Sequence, residues 1–276
     1  MSRKAKVRTK SILSKIFCSL IYIVLFMPIA VVVVNSFNAT TSKPYLTWKG
    51  FTFDWYVKLF ENQSLLTSFG NTMIIALVTT VLSTIIGTLG AIGMYKYKFK
   101  GKGIIDGLLY IPVVIPEIVM GISLLTVFAK VSIPRGMLTL IIAHITFCVP
   151  YVIFNVTPKL KQLDIKLFEA ALDLGCDPRQ AFFKVILPEI SPAILSGFLI
   201  SLTYSIDDFM ISYFNCGTVE TLPIAIYSMT RKKVSPEIYA LSTIMFVVIL
   251  CIILISNAME SRSYRRDQKA LRGEGV

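Results

Sequence analysis

SKIFCSLIYIVLFMPIAVVVVN, residues 14–35, decides the fold class. Its one charge, Lys15, stands at the start. The rest is apolar on every face for roughly 20 residues, the length that crosses a hydrocarbon core of about 30 Å. A helix on the surface of a soluble domain keeps a wet side, and this stretch has none. It is too long for a signal-peptide core and lacks a small-residue cleavage site, so it reads as a retained helix. Similar runs follow near 70–94, 104–128, 136–157, 191–214 and 238–259. The expected fold class is all-α, a polytopic membrane protein with about six transmembrane helices.

Composition agrees. The apolar fraction is 55 % and the mean hydropathy +0.71, above the share of about 45–50 % usual in soluble domains. A net charge of +12 invites a nucleic-acid partner, but the basic residues lie at the termini and in short segments between apolar runs. That is the pattern of topogenic charge, and no nucleic-acid partner is expected. Cys18, Cys148, Cys176, Cys216 and Cys251 have neither paired nor metal-type spacing, so no disulfide framework and no metal site is expected.

Orientation follows from the cations. Arg3, Lys4, Lys6, Arg8, Lys10 and Lys15 precede the first run; Lys96, Lys98, Lys100 and Lys102 join the second to the third. Lys159, Lys161, Lys166, Arg179 and Lys184 join the fourth to the fifth, and Arg262, Arg265, Arg266, Lys269 and Arg272 follow the last. About 20 of the 28 basic residues thus share one side, which the positive-inside rule assigns to the cytoplasm together with both termini. The expected organisation is a cytoplasmic basic tail over 1–13, one transmembrane domain over 14–259 with its core at about 65–259, and a second basic tail over 260–276.

Within the spans, Pro112 and Pro116 predict a kink in the third. Gly87, Gly90 and Gly93 predict a flat stripe on the second where a neighbouring helix approaches closely. The external loop 36–69 holds Trp48 and Trp55 with Phe51, Phe53, Tyr56 and Phe60. These aromatics suit an interfacial belt, or the docking of a partner. His144, the single histidine, lies inside the fourth span. It reads as a polar packing group rather than a proton relay.

The cytoplasmic loop 158–190 has helical grammar of its own. Residues 164–174 are mostly good helix formers, with Ile165, Phe168 and Leu172 on one face. Gly175 stands where a helix C-terminus takes a left-handed residue. Asp177 before Pro178 is a restart, an N-cap acceptor followed by proline at the first helical position. A second short helix is expected through Phe182, Phe183 and Val185, ending at Pro188. Two readings fit this elbow: an amphipathic hairpin on the membrane surface, or a docking element for a protein.

EAALDLGCDPRQAFFKVILP, residues 169–188, resembles the EAA loop of binding-protein-dependent ABC importer permeases. Glu169, Ala170, Ala171, Gly175, Leu187 and Pro188 stand at that loop's intervals, and Val185 replaces the usual Ile. SFN at 36–38, WKGFTFDWYVKLF at 48–60, IPEIVMGISLL at 115–125, AHITFCVPYVIF at 143–154 and the stretch 204–245 resemble the second permease subunits of spermidine/putrescine importers. The resemblance implies the type I ABC importer permease fold in a bacterial cytoplasmic membrane. It implies that the elbow is the coupling helix, with Glu169, Ala170, Ala171, Gly175, Asp177, Leu187 and Pro188 at the contact with an ATPase. It also implies the partners: a sister permease forming a heterodimer, two ATPase subunits, an external solute-binding protein and membrane lipid.

Three acids fall in or beside the spans: Glu117 in the third, and Asp207 with Asp208 in the fifth. An Asp at a helix centre costs about 2.5–3.5 kcal/mol on insertion scales, so these side chains should avoid lipid. Asp207 lies about 24 Å along the fifth span, in its outer part. Neighbouring helical positions differ by about 100°, so Asp207 and Asp208 are not expected to face one cavity. Carboxylates with aromatic faces such as Tyr204 suit a flexible polycation, making Asp207, Asp208, Tyr204 and Glu117 candidates for a substrate path. The alternative is that the aspartates cap or pair structurally.

No GxxxxGK[ST] phosphate loop occurs, so the chain is expected to bind no cofactor, with ATP and Mg used by the partner ATPase. No catalytic constellation is evident, so the chain is not expected to be an enzyme. A permease for another solute (iron or an opine-like compound) remains an alternative, as does a proton-coupled secondary transporter, although the latter leaves the elbow unexplained.

Overall fold

The computed structural model describes residues 3–40, 47–232, 236–248, 250, 251 and 254. The C-terminal basic tail, Lys233 and the end of the sixth span lie outside the described residues. The described chain is helical: α1 Arg3–Ser36, α2 Asp54–Glu61, α3 Gln63–Lys96, α4 Lys102–Val114, α5 Glu117–Lys130, α6 Met137–Gln162, α7 Ile165–Asp173, α8 Pro178–Ala181, α9 Leu187–Asp207, α10 Met210–Asn215 and α11 Leu222–Lys232, then α12 Glu237–Val248. Four stretches are long and apolar enough to cross a bilayer: Ser14–Ser36, Gln63–Lys96, Met137–Gln162 and Pro178–Asp207. The pair α4 and α5 makes a broken fifth, and α12 is a shorter apolar helix at the start of the expected sixth.

The described residues fall into two compact units, one combining those up to Gln63 with those from Met229 onward, the other Ser64–Ser228. In the first, α1 exposes its apolar side chains along Ile16–Met27. The loop after it is an ordered knot rather than a loose belt. Asn38 and Phe51 form an antiparallel bridge, and the Asn38 side chain is held by Thr47 O at 3.0 Å and Lys49 N at 3.0 Å. Trp55 is buried, and its indole N–H donates to Asn38 O at 2.7 Å. Expected with the other aromatics at the interface, Trp55 instead seals the loop, because its one polar atom finds a buried carbonyl. Trp48, Phe51, Phe53 and Phe60 stay exposed.

In the second unit, α6 is the central helix. Val152, fully buried, projects from α6 between two glycines. A Cβ on Gly87 of α3 would lie 2.6 Å from Val152 Cβ, and one on Gly197 of α9 would lie 3.3 Å from Val152 Cα. Gly90 faces Ile153, while Gly93 has no neighbour within 4 Å. The glycine stripe therefore serves as a helix-packing notch at two of its three positions. Ala91, Val156, Leu160 and Ile190 continue this core, and Phe128, Ala143, Phe147, Cys148 and Ile211 form a second cluster.

Both flanking spans break. The kink expected in the third is a bend of 111° between α4 and α5. Pro116 drives the residue before it out of the helical region, and Ile115 is extended at φ −68°, ψ 136°. The fifth span, expected as one helix over 191–214, differs at both ends. Its helix enters from Pro178 without stopping at Pro188. A π-helical turn, Phe182–Ile186, precedes the proline, with Leu187 N–H bonded to Phe182 O. The register changes where Pro188 has no N–H to lose. At the other end the helix stops at Asp207, Asp208 is extended at φ −62°, ψ 121°, and α10 begins at Met210.

Candidate functional site

The two breaks meet. α5 begins at Glu117 and α9 ends at Asp207, and the space beside them is a cleft of about 130 Å³. Glu117, Tyr204, Asp207 and Asp208 all line it, joined by Tyr151 and Phe147 of α6. All four substrate-path candidates thus converge. Asp207 and Asp208 are neighbours at the edge of the cleft, but their carboxylates diverge: Asp207 is exposed and Asp208 is buried. The rings of Tyr151 and Tyr204 lie 4.6 Å apart and form one wall.

The electrostatics of the cleft are one-sided. Among the described residues, no Lys or Arg lines it. Glu117 stands in the first turn of α5, where the helix dipole favours a carboxylate. Asp207 stands at the last residue of α9, whose last turn holds no basic residue. A carboxylate at a helix C-terminus adds to the partial negative charge of the free carbonyls. Asp207 is exposed. The site therefore offers negative potential between aromatic walls, an arrangement that a bound cation would relieve.

Asp208 behaves differently. It is buried, and its carboxylate accepts hydrogen bonds from Ile211 N at 3.2 Å and Ser212 N at 2.7 Å, capping the start of α10. Its Oδ2 is 3.3 Å from His144 Nε2. His144 is itself buried, with Nδ1 2.7 Å from Ser205 Oγ and Nε2 3.0 Å from Ser212 Oγ. His144, expected as a polar packing group, thus has partners on both of its ring nitrogens. Nearby, Asn215 Nδ2 donates to Gly121 O at 3.1 Å and to Ile211 O at 2.9 Å, tying α10 to α5. Sequence reasoning missed Tyr151 and this polar cluster. The spacing of Ser205, Asp208 and Ser212, three and four apart, was the available signal.

The elbow lies at the other end of α6 and α9. Asp164 caps α7 through its side chain on Lys166 N at 3.0 Å. The helix ends in a Schellman turn: Gly175 N–H donates to Leu172 O at 2.9 Å, and Cys176 N–H to Ala171 O at 3.0 Å. Gly175 has φ +88°, the left-handed region that its sequence position predicts. Asp177 Oδ1 accepts from Arg179 N and Gln180 N, both at 2.8 Å, starting α8 with Pro178 in its first turn. Ala171 is buried and Leu187 half-buried, while Glu169, Ala170, Gly175, Asp177 and Pro188 are exposed. Leu174 is 86 % exposed and Phe183 63 %, so the turn presents apolar surface outward. Lys159 and Glu189 form an ion pair at 2.7 Å across the base of the elbow.

Residues 83–266 match the family described as the binding-protein-dependent transport system inner membrane component. The chain belongs to this family. The permease is 40 % identical over 248 residues to the spermidine/putrescine transport system permease protein PotC of Haemophilus influenzae, covering 90 % of this chain and 96 % of that one. It is 41 % identical to PotC of Escherichia coli K12, over 87 % and 90 % of the two chains. The putrescine transport system permease protein PotI of the same organism is 34 % identical, over 90 % and 92 %. Among solved structures, a bacterial ABC transporter that imports alginate superposes with a TM-score of 0.71 at 16 % identity, covering 95 % of this chain and 98 % of that one. The fold of the permease is therefore that of ABC importer membrane subunits.

Proposed function

We propose that this permease is the second membrane subunit of a polyamine importer driven by ATP. In this reading one transmembrane domain, residues 14–259, carries the solute path, and the loop 158–190 couples it to a separate ATPase. The observation that carries the substrate class is the cleft: two exposed carboxylates, Glu117 and Asp207, with a third, Asp208, buried behind them, and two tyrosines, with no basic residue in its lining among the described residues. A polyamine is a flexible chain of ammonium groups, and each can pair with a carboxylate or lie over a ring. Glu117, Asp207, Asp208 and Tyr204 are the proposed substrate-path residues. The names of the relatives, all polyamine permeases, support the same class.

The proposed coupling surface is the elbow around Glu169, Ala170, Ala171, Gly175, Asp177, Leu187 and Pro188. Its support is the exposed apolar turn held rigid at both ends by caps. The chain itself performs no chemistry in this proposal and binds no cofactor. Two ATPase subunits with Mg and ATP supply the energy, an external binding protein delivers solute, and a sister permease completes the path as a heterodimer. Both termini lie in the cytoplasm.

Labelled spermidine uptake tests the reading, in cells lacking polyamine import that express all four components. Uptake should require every component, fall with Asp207→Asn, and vanish with Gly175→Pro in the elbow. An assembled complex that hydrolyses ATP yet takes up no spermidine would move the substrate to iron or opine-like solutes. Uptake that persists without the ATPase while a proton gradient stands would overturn the coupling assignment.

A further inference from the structure

The break between α9 and α10 contains no helix-breaking residue. The residues around it, Ser205-Ile206-Asp207-Asp208-Phe209-Met210, include neither proline nor glycine, in contrast to the α4–α5 break with its Pro116. Asp208 supplies a local cap for α10, and tertiary contacts fix where the two helices part. One imidazole does this from both sides. Through Nδ1 His144 holds Ser205, in the last turn of α9. Through Nε2 it meets Ser212 of α10 and the Asp208 carboxylate. Asp208 in turn caps the backbone of α10. Since His144 belongs to α6, both ends of the break are pinned to the central helix.

The two adjacent aspartates therefore have separate surroundings. The Asp208 carboxylate is committed to two backbone N–H groups and lies beside the imidazole, with 8 % of the residue exposed. Asp207 is exposed and lines the cleft with Glu117 and Tyr204. We infer that His144, Ser205 and Asp208 are positioning residues, a clamp that holds the helix break so that the Asp207 carboxylate is presented to the solute. The inference rests on the cleft being the solute path, and narrows the part of Asp208 in it from solute ligand to support. A buried hydrogen-bonded carboxylate left without its partners is poorly tolerated. A break with neither proline nor glycine should close or wander when the clamp is removed.

The test uses the full four-component transporter in proteoliposomes. An Asp207→Cys chain reports the position of the residue by its rate of modification with a cationic methanethiosulfonate, measured over the background of the native cysteines. Ser205→Ala and His144→Phe should each change that rate by about tenfold, the scale for losing a charge-linked hydrogen-bond network. Ser205→Thr, which keeps the hydroxyl, should restore it. Spermidine uptake supplies the second readout. Asp207→Asn and Asp208→Asn should each reduce it, and the double variant should be no worse than Asp207→Asn alone, since both act through one carboxylate. An unchanged modification rate in assembled clamp variants would overturn the inference, and so would additive losses in the double variant, which would mean that Asp208 meets the solute itself. If His144→Phe fails to assemble, Ser205→Ala, which removes one hydroxyl, carries the modification test. Unaltered uptake in Asp207→Asn would sink the solute-path reading alone, while the modification rates would still decide the clamp.

Discussion

Val152 occupies the space that a side chain on Gly87 would need: a Cβ there would lie 2.6 Å from Val152 Cβ and 3.1 Å from the Val149 carbonyl oxygen. The second obstacle is backbone, so rotamer changes in Val152 cannot relieve the clash. Gly87→Ala should destabilise the permease by about 1–3 kcal/mol, the usual cost of overpacking a tight core. Val152→Ala removes the Cγ1 at 2.7 Å but keeps the Cβ, so it should recover little of that loss. Gly197→Ala, with its nearest atom at 3.3 Å, should cost less than Gly87→Ala. Thermal unfolding of the purified transporter ranks the three.

Trp55 seals the first external loop through one hydrogen bond and a buried ring. Trp55→Phe keeps an apolar ring and leaves the Asn38 carbonyl without the indole donor, at a cost of about 1–3 kcal/mol for an unsatisfied buried group. The expected readout is faster proteolysis within residues 47–62, with spans and assembly intact. Protease resistance equal to that of the parent chain would refute the role of this bond.

The elbow turn demands a left-handed residue at Gly175. Gly175→Ala should cost about 1–2 kcal/mol, and Gly175→Asn less, because Asn tolerates that conformation. Asp177→Ala removes the cap from two N–H groups and should cost about 1 kcal/mol. If the elbow transmits ATPase closure, solute moved per ATP hydrolysed should fall in the order Asn, Ala, Pro at position 175. A flat series would disconnect the turn from coupling.

Charge in the cleft should matter more than shape. Glu117→Gln and Asp207→Asn keep volume and remove one negative charge each from a lining that, among the described residues, has no Lys or Arg. Uptake of spermidine should fall by about tenfold in each, the scale of one lost charge-assisted contact. Tyr204→Phe, which keeps the ring face, should change it little. Measured with a shared binding protein, the reverse ranking would identify the wall, rather than the carboxylates, as the recognition element.

The membrane class was legible in residues 14–35 alone, because an apolar run without a wet face has one stable environment. The elbow was equally legible: Asp164, Gly175, Asp177 and Pro178 each act on backbone within three residues of themselves, and each stands in the structure where its local chemistry directs. The α4–α5 break shows the same logic on a larger scale, since Pro116 acts on the residue before it.

Other features depended on residues far apart in the chain. Pro188 was read as a stop, but the helix passes through it on a π-helical turn. Asp207 and Asp208 were read as facing apart on one continuous helix. They do part into an exposed and a buried carboxylate, but across a helix break and against His144, 64 residues before Asp208. Trp55 was read with its aromatic neighbours as interfacial or partner-docking, because nothing within a helical turn announces the Asn38 carbonyl that holds it. Hydropathy and capping are properties of a segment, so sequence alone determined the spans, the turns and the family resemblance. Where two helices part, and which carboxylate then meets the cleft, follows from long-range hydrogen bonds, which only the folded chain brings within reach.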